Sequence, residues 1–101
     1  MYQYKARLVR CVDGDTADVD IDLGFHLTAR IRGRLLGVDT PERGKPEFGV
    51  ATAMLENLIA TKSDEEGYFI VHTEKTGKYG RWLIHIDGVN SVLAEKWPYP
   101  K

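Results

Sequence analysis

The chain has 101 residues, 43% hydrophobic and 29% charged, with fourteen Lys+Arg against fifteen Asp+Glu and a formal net charge of -1. That describes one ordinary domain with one modest core. Its balanced charge excludes a general attraction to nucleic acid, membrane or acidic polymer, so a phosphate-binding role needs basic residues gathered locally.

Cys11 is the only cysteine, which excludes an internal disulfide and a cysteine zinc site and reads as a buried thiol. No apolar run is long enough to cross a bilayer, and the first residues lack the apolar core of a secretory signal, so an intracellular, cytoplasmic chain is expected.

Residues 2–12 are strand-like, and Asp13-Gly14-Asp15 follows as a turn. The next segment alternates with period two, Ala17, Val19 and Ile21 against Asp18, Asp20 and Asp22, which predicts a half-buried hairpin strand with the aspartates on its wet face. Past Leu23-Gly24 the alternation resumes. Leu27, Ala29, Ile31 and Gly33 share one face, and Thr28, Arg30, Arg32 and Arg34 share the other, before Leu35-Leu36-Gly37-Val38.

Over residues 46–60 the spacing changes. Ala51, Met54, Leu55, Leu58 and Ile59 recur at three and four, an apolar stripe on a helix of about four turns. Asp64-Glu65-Glu66-Gly67 reads as a turn, residues 68–73 as a strand, residues 76–80 as a turn and residues 81–86 as another strand. A short helix starts near Val89-Asn90, and Pro98 and Pro100 prevent the last residues from extending it. Strands with turns about ten residues apart, plus one inserted helix, predict a single domain: a small β-barrel of α+β type.

Four features could carry chemistry, and each has a plainer reading. Asp13-Gly14-Asp15-Thr16 is common hairpin-turn chemistry, yet two carboxylates on a tight loop could also ligate a hard cation. Asp39-Thr40-Pro41-Glu42 could open a helix by capping. Arg30, Arg32 and Arg34 could form a solvated strand face. Lys78-Tyr79-Gly80-Arg81 could be a turn and nothing more.

Competing sites have little support. Asp18, Asp20 and Asp22 imitate the start of an EF-hand loop, but the glycine comes one place late and Ala29 stands where the loop needs Glu. His26, His72 and His85 are scattered, without a second histidine at metal-ligand spacing, and read as structural or surface residues. Ser63 and Ser91 lack a nucleophile-elbow context, and there is no phosphate-binding glycine loop or dinucleotide fingerprint.

The order of the motifs is more telling than any one of them: Asp-Gly-Asp-Thr, then Arg34-Leu35-Leu36-Gly37-Val38-Asp39-Thr40-Pro41-Glu42, then Lys78-Tyr79-Gly80-Arg81, then Val89-Asn90 followed by Leu93. This resembles the staphylococcal (thermonuclease-like) nuclease family over nearly the whole chain. The resemblance implies an OB-fold five-stranded barrel with helices packed on it, and a calcium-dependent phosphodiesterase that cuts DNA and RNA. It implies Asp15, Asp39 and the Thr40 carbonyl as metal ligands, Glu42 as the water-activating base, Arg34 and Arg81 on the scissile phosphate, and Lys78 and Tyr79 on a second phosphate.

Oxygen-only ligation suits calcium, with magnesium less suited because it demands tighter octahedral geometry. The expected partner is single-stranded or frayed DNA and/or RNA, in a bacterial or phage-encoded protein, with no membrane role and the oligomeric state left open. The family's third helix has no counterpart before Lys101, which leaves Trp97 and Tyr99 as the aromatics that could replace its substrate contacts. The alternative of another class is a noncatalytic OB-fold module that binds single strands. Such a binder has no need of three acids beside a phosphate.

Overall fold

The period-two segments form the walls of a closed barrel. The computed structural model describes residues 2–74 and 82–97. Within them run β1 (Tyr2–Asp13), β2 (Thr16–Gly24), β3 (Leu27–Leu35), α1 (Phe48–Lys62), β4 (Tyr68–Glu74), β5 (Trp82–His85) and α2 (Asn90–Lys96). The strand order β1-β2-β3-β5-β4 closes on itself, giving the expected mainly-β, OB-fold-like α+β architecture.

Closure depends on β1, which pairs antiparallel with β2 along one edge and with β4 along the other. Its register against β2 shifts between Leu8 and Arg10 and again between Cys11 and Asp13. Such irregularities bend a strand and raise its twist, which lets one strand serve both sides of a small barrel. β3 and β5 pair in parallel, with Gly33 beside Trp82 and Leu35 beside Ile84. Between β2 and β3 the chain reverses through Phe25 and His26, both at positive φ (54° and 62°), the conformation that a two-residue hairpin with native twist requires.

The inward face of the alternation supplies Ala17, Val19, Ile21 and Leu35, all buried with Val71 and Ile84 in one core. Gly33 belongs to that face for a steric reason: a Cβ there would lie 2.6 Å from the Ile84 side chain. The apolar stripe of α1 buries Ala51, Leu55 and Ile59, with Met54 and Leu58 packed alongside. Each large aliphatic side chain so buried contributes about 1.5–3 kcal/mol. The helix runs two residues later at both ends than its spacing predicts. Its cap is Glu47 in the left-handed region rather than a hydrogen-bonding side chain.

Asn90 ties α2 to the barrel. Its Oδ1 accepts from the Ile86 N–H at 2.9 Å, and its Nδ2 donates to the carbonyls of Leu36 at 2.9 Å and Ile84 at 3.2 Å. One amide thus satisfies backbone groups at the ends of β3 and β5. The strand expected over residues 81–86 is described from Trp82, and Arg81 lies outside the described residues.

Asp18 departs from the expected wet face. It is buried between Arg32, its partner across β3, and Arg10 from β1, with both Nε atoms at 2.9 Å. Two arginine stems cover a carboxylate that the alternation alone assigns to solvent. Cys11 is half-buried rather than fully enclosed, and burial, with Glu56 and Asp13 nearby, pushes its thiol up to about 12. Among the described residues, no helix is long and apolar enough to cross a membrane.

Candidate active site

The β1–β2 turn and the segment after β3 meet at one end of the barrel. Leu35 N–H donates to the Asp15 carbonyl at 2.8 Å, so the last rung of β3 is tied to the Asp-Gly-Asp turn. Asp13 Oδ1 accepts from Asp15 N–H at 3.0 Å, a side-chain bond that holds the turn from within. Gly14 is required by space. A Cβ on it would fall 2.6 Å from the Ala51 Cβ and 2.7 Å from the Thr40 Oγ1, so this turn can lie against both α1 and Thr40 only without a side chain.

Asp15 is buried, and three groups converge on its carboxylate. Thr16 Oγ1 donates to Oδ1 at 3.0 Å, Thr40 N–H donates to Oδ2 at 3.2 Å, and Arg34 Nη1 lies 3.2 Å from Oδ2. Burial and the shared hydrogen bond with Asp13 nevertheless outweigh Arg34 and Thr16, raising the Asp15 carboxyl from 3.8 to about 6. Burial is the larger cause, and it disfavours the charged form.

Arg34 also reaches Asp39, with Nη2 3.8 Å from Oδ1, and donates from Nη1 to the carbonyls of Val38 at 2.6 Å and Leu35 at 3.3 Å. Its guanidinium is largely covered, whereas Arg30 and Arg32 stay open to solvent. The three arginines of one strand face therefore differ: Arg30 and Arg32 pair with Asp20 and Asp18 across β2, and Arg34 turns past the strand end toward two acids.

Asp39 is exposed, and its N–H donates to the carbonyl of Trp97 at 3.1 Å. Trp97 itself packs against the core. Trp97, one of the two aromatics that could replace the family's substrate contacts, thus also holds an acid of the site through its backbone. Thr40 is buried, and no helix starts at it, because α1 begins only at Phe48. The capping reading of Thr40 therefore fails. Its Oγ1 is a buried polar atom without a hydrogen-bond partner among the described residues.

Glu42 follows two residues on, exposed, with its carbonyl accepting from Lys45 N–H at 3.0 Å. Asp15, Arg34, Asp39 and Thr40 are thus brought together, with Glu42 adjacent in the chain. Lys78, Tyr79 and Arg81, and the aromatic Tyr99, lie outside the described residues.

Chemically, the site offers two carboxylates and backbone oxygens beside one guanidinium. This donor set suits a hard divalent cation and a phosphate, and holds no thiol or imidazole. An apolar recess lies elsewhere, at the opposite end of the barrel. It has about 530 Å³ and is walled mainly by apolar side chains including Tyr2, Tyr4, Ile31 and Trp82.

One group of residues escaped the sequence reading. His72 and His85, scattered in sequence, are direct partners across β4 and β5, with Asp87 beside both. The two strands were each legible, but the register that joins them was not.

No protein-family profile matches the chain. It is similar to Protein ParB of Escherichia coli, 29% identical over 99 residues that cover 98% of this chain and 50% of that protein. It is also similar to two proteins named Uncharacterized endonuclease, from Escherichia coli O157:H7 and Escherichia coli, each 34% identical over 88 residues that cover 83% of this chain and 50% of theirs. The chain spans about half the length of the curated relatives it matches.

Proposed function

We propose that this chain is a calcium-dependent nuclease that hydrolyses phosphodiester bonds of single-stranded or frayed DNA and/or RNA. The observation that carries the reading is the bridge made by Arg34 between Asp15 and Asp39, at 3.2 and 3.8 Å. It places a fixed guanidinium beside two acids drawn from separate parts of the chain. Similarity to proteins named as endonucleases supports the same reading, as does the motif order shared with the staphylococcal nuclease family.

The residues present fit a hard cation. Asp15 is a buried carboxylate, and besides Arg34 it accepts from two neutral groups, Thr16 Oγ1 and the Thr40 N–H. Asp15, Asp39 and the Thr40 carbonyl would hold calcium; magnesium, which dehydrates reluctantly and prefers strict octahedral geometry, suits the set less. When bound, the ion supplies charge neutralisation at a phosphate oxygen and orientation of water.

The remaining work belongs to the side chains. A water oxygen forms the new bond to phosphorus as the bond to the leaving sugar oxygen breaks; Glu42 accepts the proton released by that water, and the departing oxygen takes a proton from solvent to leave as a hydroxyl. Arg34 donates hydrogen bonds to the phosphate oxygens, whose negative charge grows in the transition state. Its attachment to the Leu35 and Val38 carbonyls orients the guanidinium beforehand, so little reorganisation remains at the moment of reaction. In this reading Arg81 is the second phosphate clamp, and Lys78 and Tyr79 bind the neighbouring phosphate.

The test is incubation of the pure protein with an end-labelled single-stranded oligonucleotide, in calcium and then in chelator. Fragments that appear only with calcium, and that form about 10²–10⁴-fold more slowly with Glu42→Gln, are expected. Retention of the strand without cutting would replace this reading with a noncatalytic single-strand-binding module.

A further inference from the structure

We propose that His72, His85 and Asp87 form a second metal site, for a transition-metal ion of the zinc class, on the barrel wall. His72 of β4 and His85 of β5 are paired residues in an antiparallel ladder, so their side chains leave the same face. The ring centroids are 5.9 Å apart and the rings are tilted by 46°. Asp87 stands two residues beyond His85, past the end of β5, in the turn closed by Val89 N–H on the Ile86 carbonyl at 2.9 Å. That turn folds the carboxylate back over both rings.

The distances suit an ion. His72 Nε2 lies 3.5 Å from Asp87 Oδ2, and His85 Nδ1 lies 3.3 Å from Asp87 Oδ1. One donor atom from each residue can be chosen so that all lie within 4.8 Å of one another. Bonds of about 2.0–2.2 Å in a tetrahedron put neighbouring donors roughly 3.3–3.6 Å apart, a separation that each imidazole already has to one of the two Asp87 oxygens, and a small rotation of this exposed carboxylate would bring one oxygen to both.

The donor set also separates this site from the one at Asp15. Two imidazoles and one carboxylate suit zinc, cobalt, nickel or copper, whereas the oxygen set at Asp15 and Asp39 suits calcium. The rings are partly buried, with side-chain exposures of 23% and 35%, while Asp87 is 82% exposed. Packing holds the two nitrogens in place, and the free carboxylate closes on the ion. Three protein ligands leave a position for water or an outside donor. A bound ion would join β4 to β5, the strands that precede and follow residues 75–81 in the chain.

Zinc and cobalt binding to the full chain tests the proposal, with calcium held in excess to occupy oxygen sites. The expected result is one equivalent of zinc by calorimetry, and cobalt absorption in the visible typical of imidazole ligation. His72→Gln, His85→Gln and Asp87→Ala should each weaken zinc affinity at least about tenfold, and His26→Gln should leave it unchanged. Asp87 is exposed, so its variant reports on binding even if a histidine variant fails to fold. Equal zinc affinity in the parent and Asp87→Ala, or cobalt spectra free of imidazole features, would overturn the proposal.

Discussion

Arg34 stands directly opposite Thr16 across β2 and β3, whereas Arg32 and Arg30 stand opposite Asp18 and Asp20. The last arginine therefore has no acid as its cross-strand partner, and its guanidinium extends beyond the strand to Asp15 and Asp39. A single hydroxyl in place of a carboxylate separates a paired surface charge from a candidate catalytic one.

Arg34→Lys should separate stability from chemistry. An ammonium cannot reach two acids and two carbonyls in the planar geometry of a guanidinium. Cleavage should fall at least about 100-fold, while calcium still raises the melting temperature because Asp15 and Asp39 remain. Rate assays and melts of the same sample with and without calcium check this. A variant as fast as the parent would remove Arg34 from the reaction.

Gly14→Ala should destabilise the protein by about 1–3 kcal/mol, the usual cost of forcing a methyl into a packed region. The new Cβ would meet Ala51 and Thr40, pushing the Asp-Gly-Asp turn off α1. In urea unfolding, a cycle with Ala51→Gly should show coupling of at least about 0.5 kcal/mol between the two positions. Strict additivity would show that the turn moves away freely.

Asp18 gives the stability an acid-side dependence. Hydrogen bonding from Arg32, reinforced by Arg10, lowers its carboxyl from 3.8 to about 2. A depressed folded-state value means that the ionised carboxylate contributes stability above the unfolded value, and that this contribution is lost as pH falls from about 4 to about 2. Because both arginines are substantially exposed, about 1 kcal/mol is expected. Urea midpoints of parent and Asp18→Asn should differ at about pH 6, with the gap narrowing from about pH 4 and closing below about pH 2; a gap independent of pH would contradict the pairing.

Asn90→Ala removes an amide that serves three backbone groups where β3, β5 and α2 meet, and of these the Ile84 carbonyl keeps a second donor, the Leu36 N–H at 2.9 Å. A loss of about 2–4 kcal/mol is expected, read as a lower urea midpoint. A change below about 0.5 kcal/mol, the range of a surface substitution, would show that the amide is dispensable.

The five strands and both helices were legible because side-chain period reports a local property: which face of an element each residue occupies. Ala17, Val19 and Ile21 went inward, and the stripe at Ala51, Leu55 and Ile59 met the barrel. The meeting of Asp15 with Arg34 and Asp39 was legible only through motif order, since period carries no information about which distant segment lies alongside.

The residue types, their alternation and their spacing determined a mainly-β domain with one long helix and an oxygen-rich set of acids. Only tertiary structure decided that Arg32 and Arg10 cover Asp18, that the Trp97 carbonyl holds Asp39, and that His72 faces His85. Strand register is the physical reason. It is set by non-local packing and by bulges such as those in β1, and a shift of two residues would keep the inward face of each strand while exchanging every partner across it.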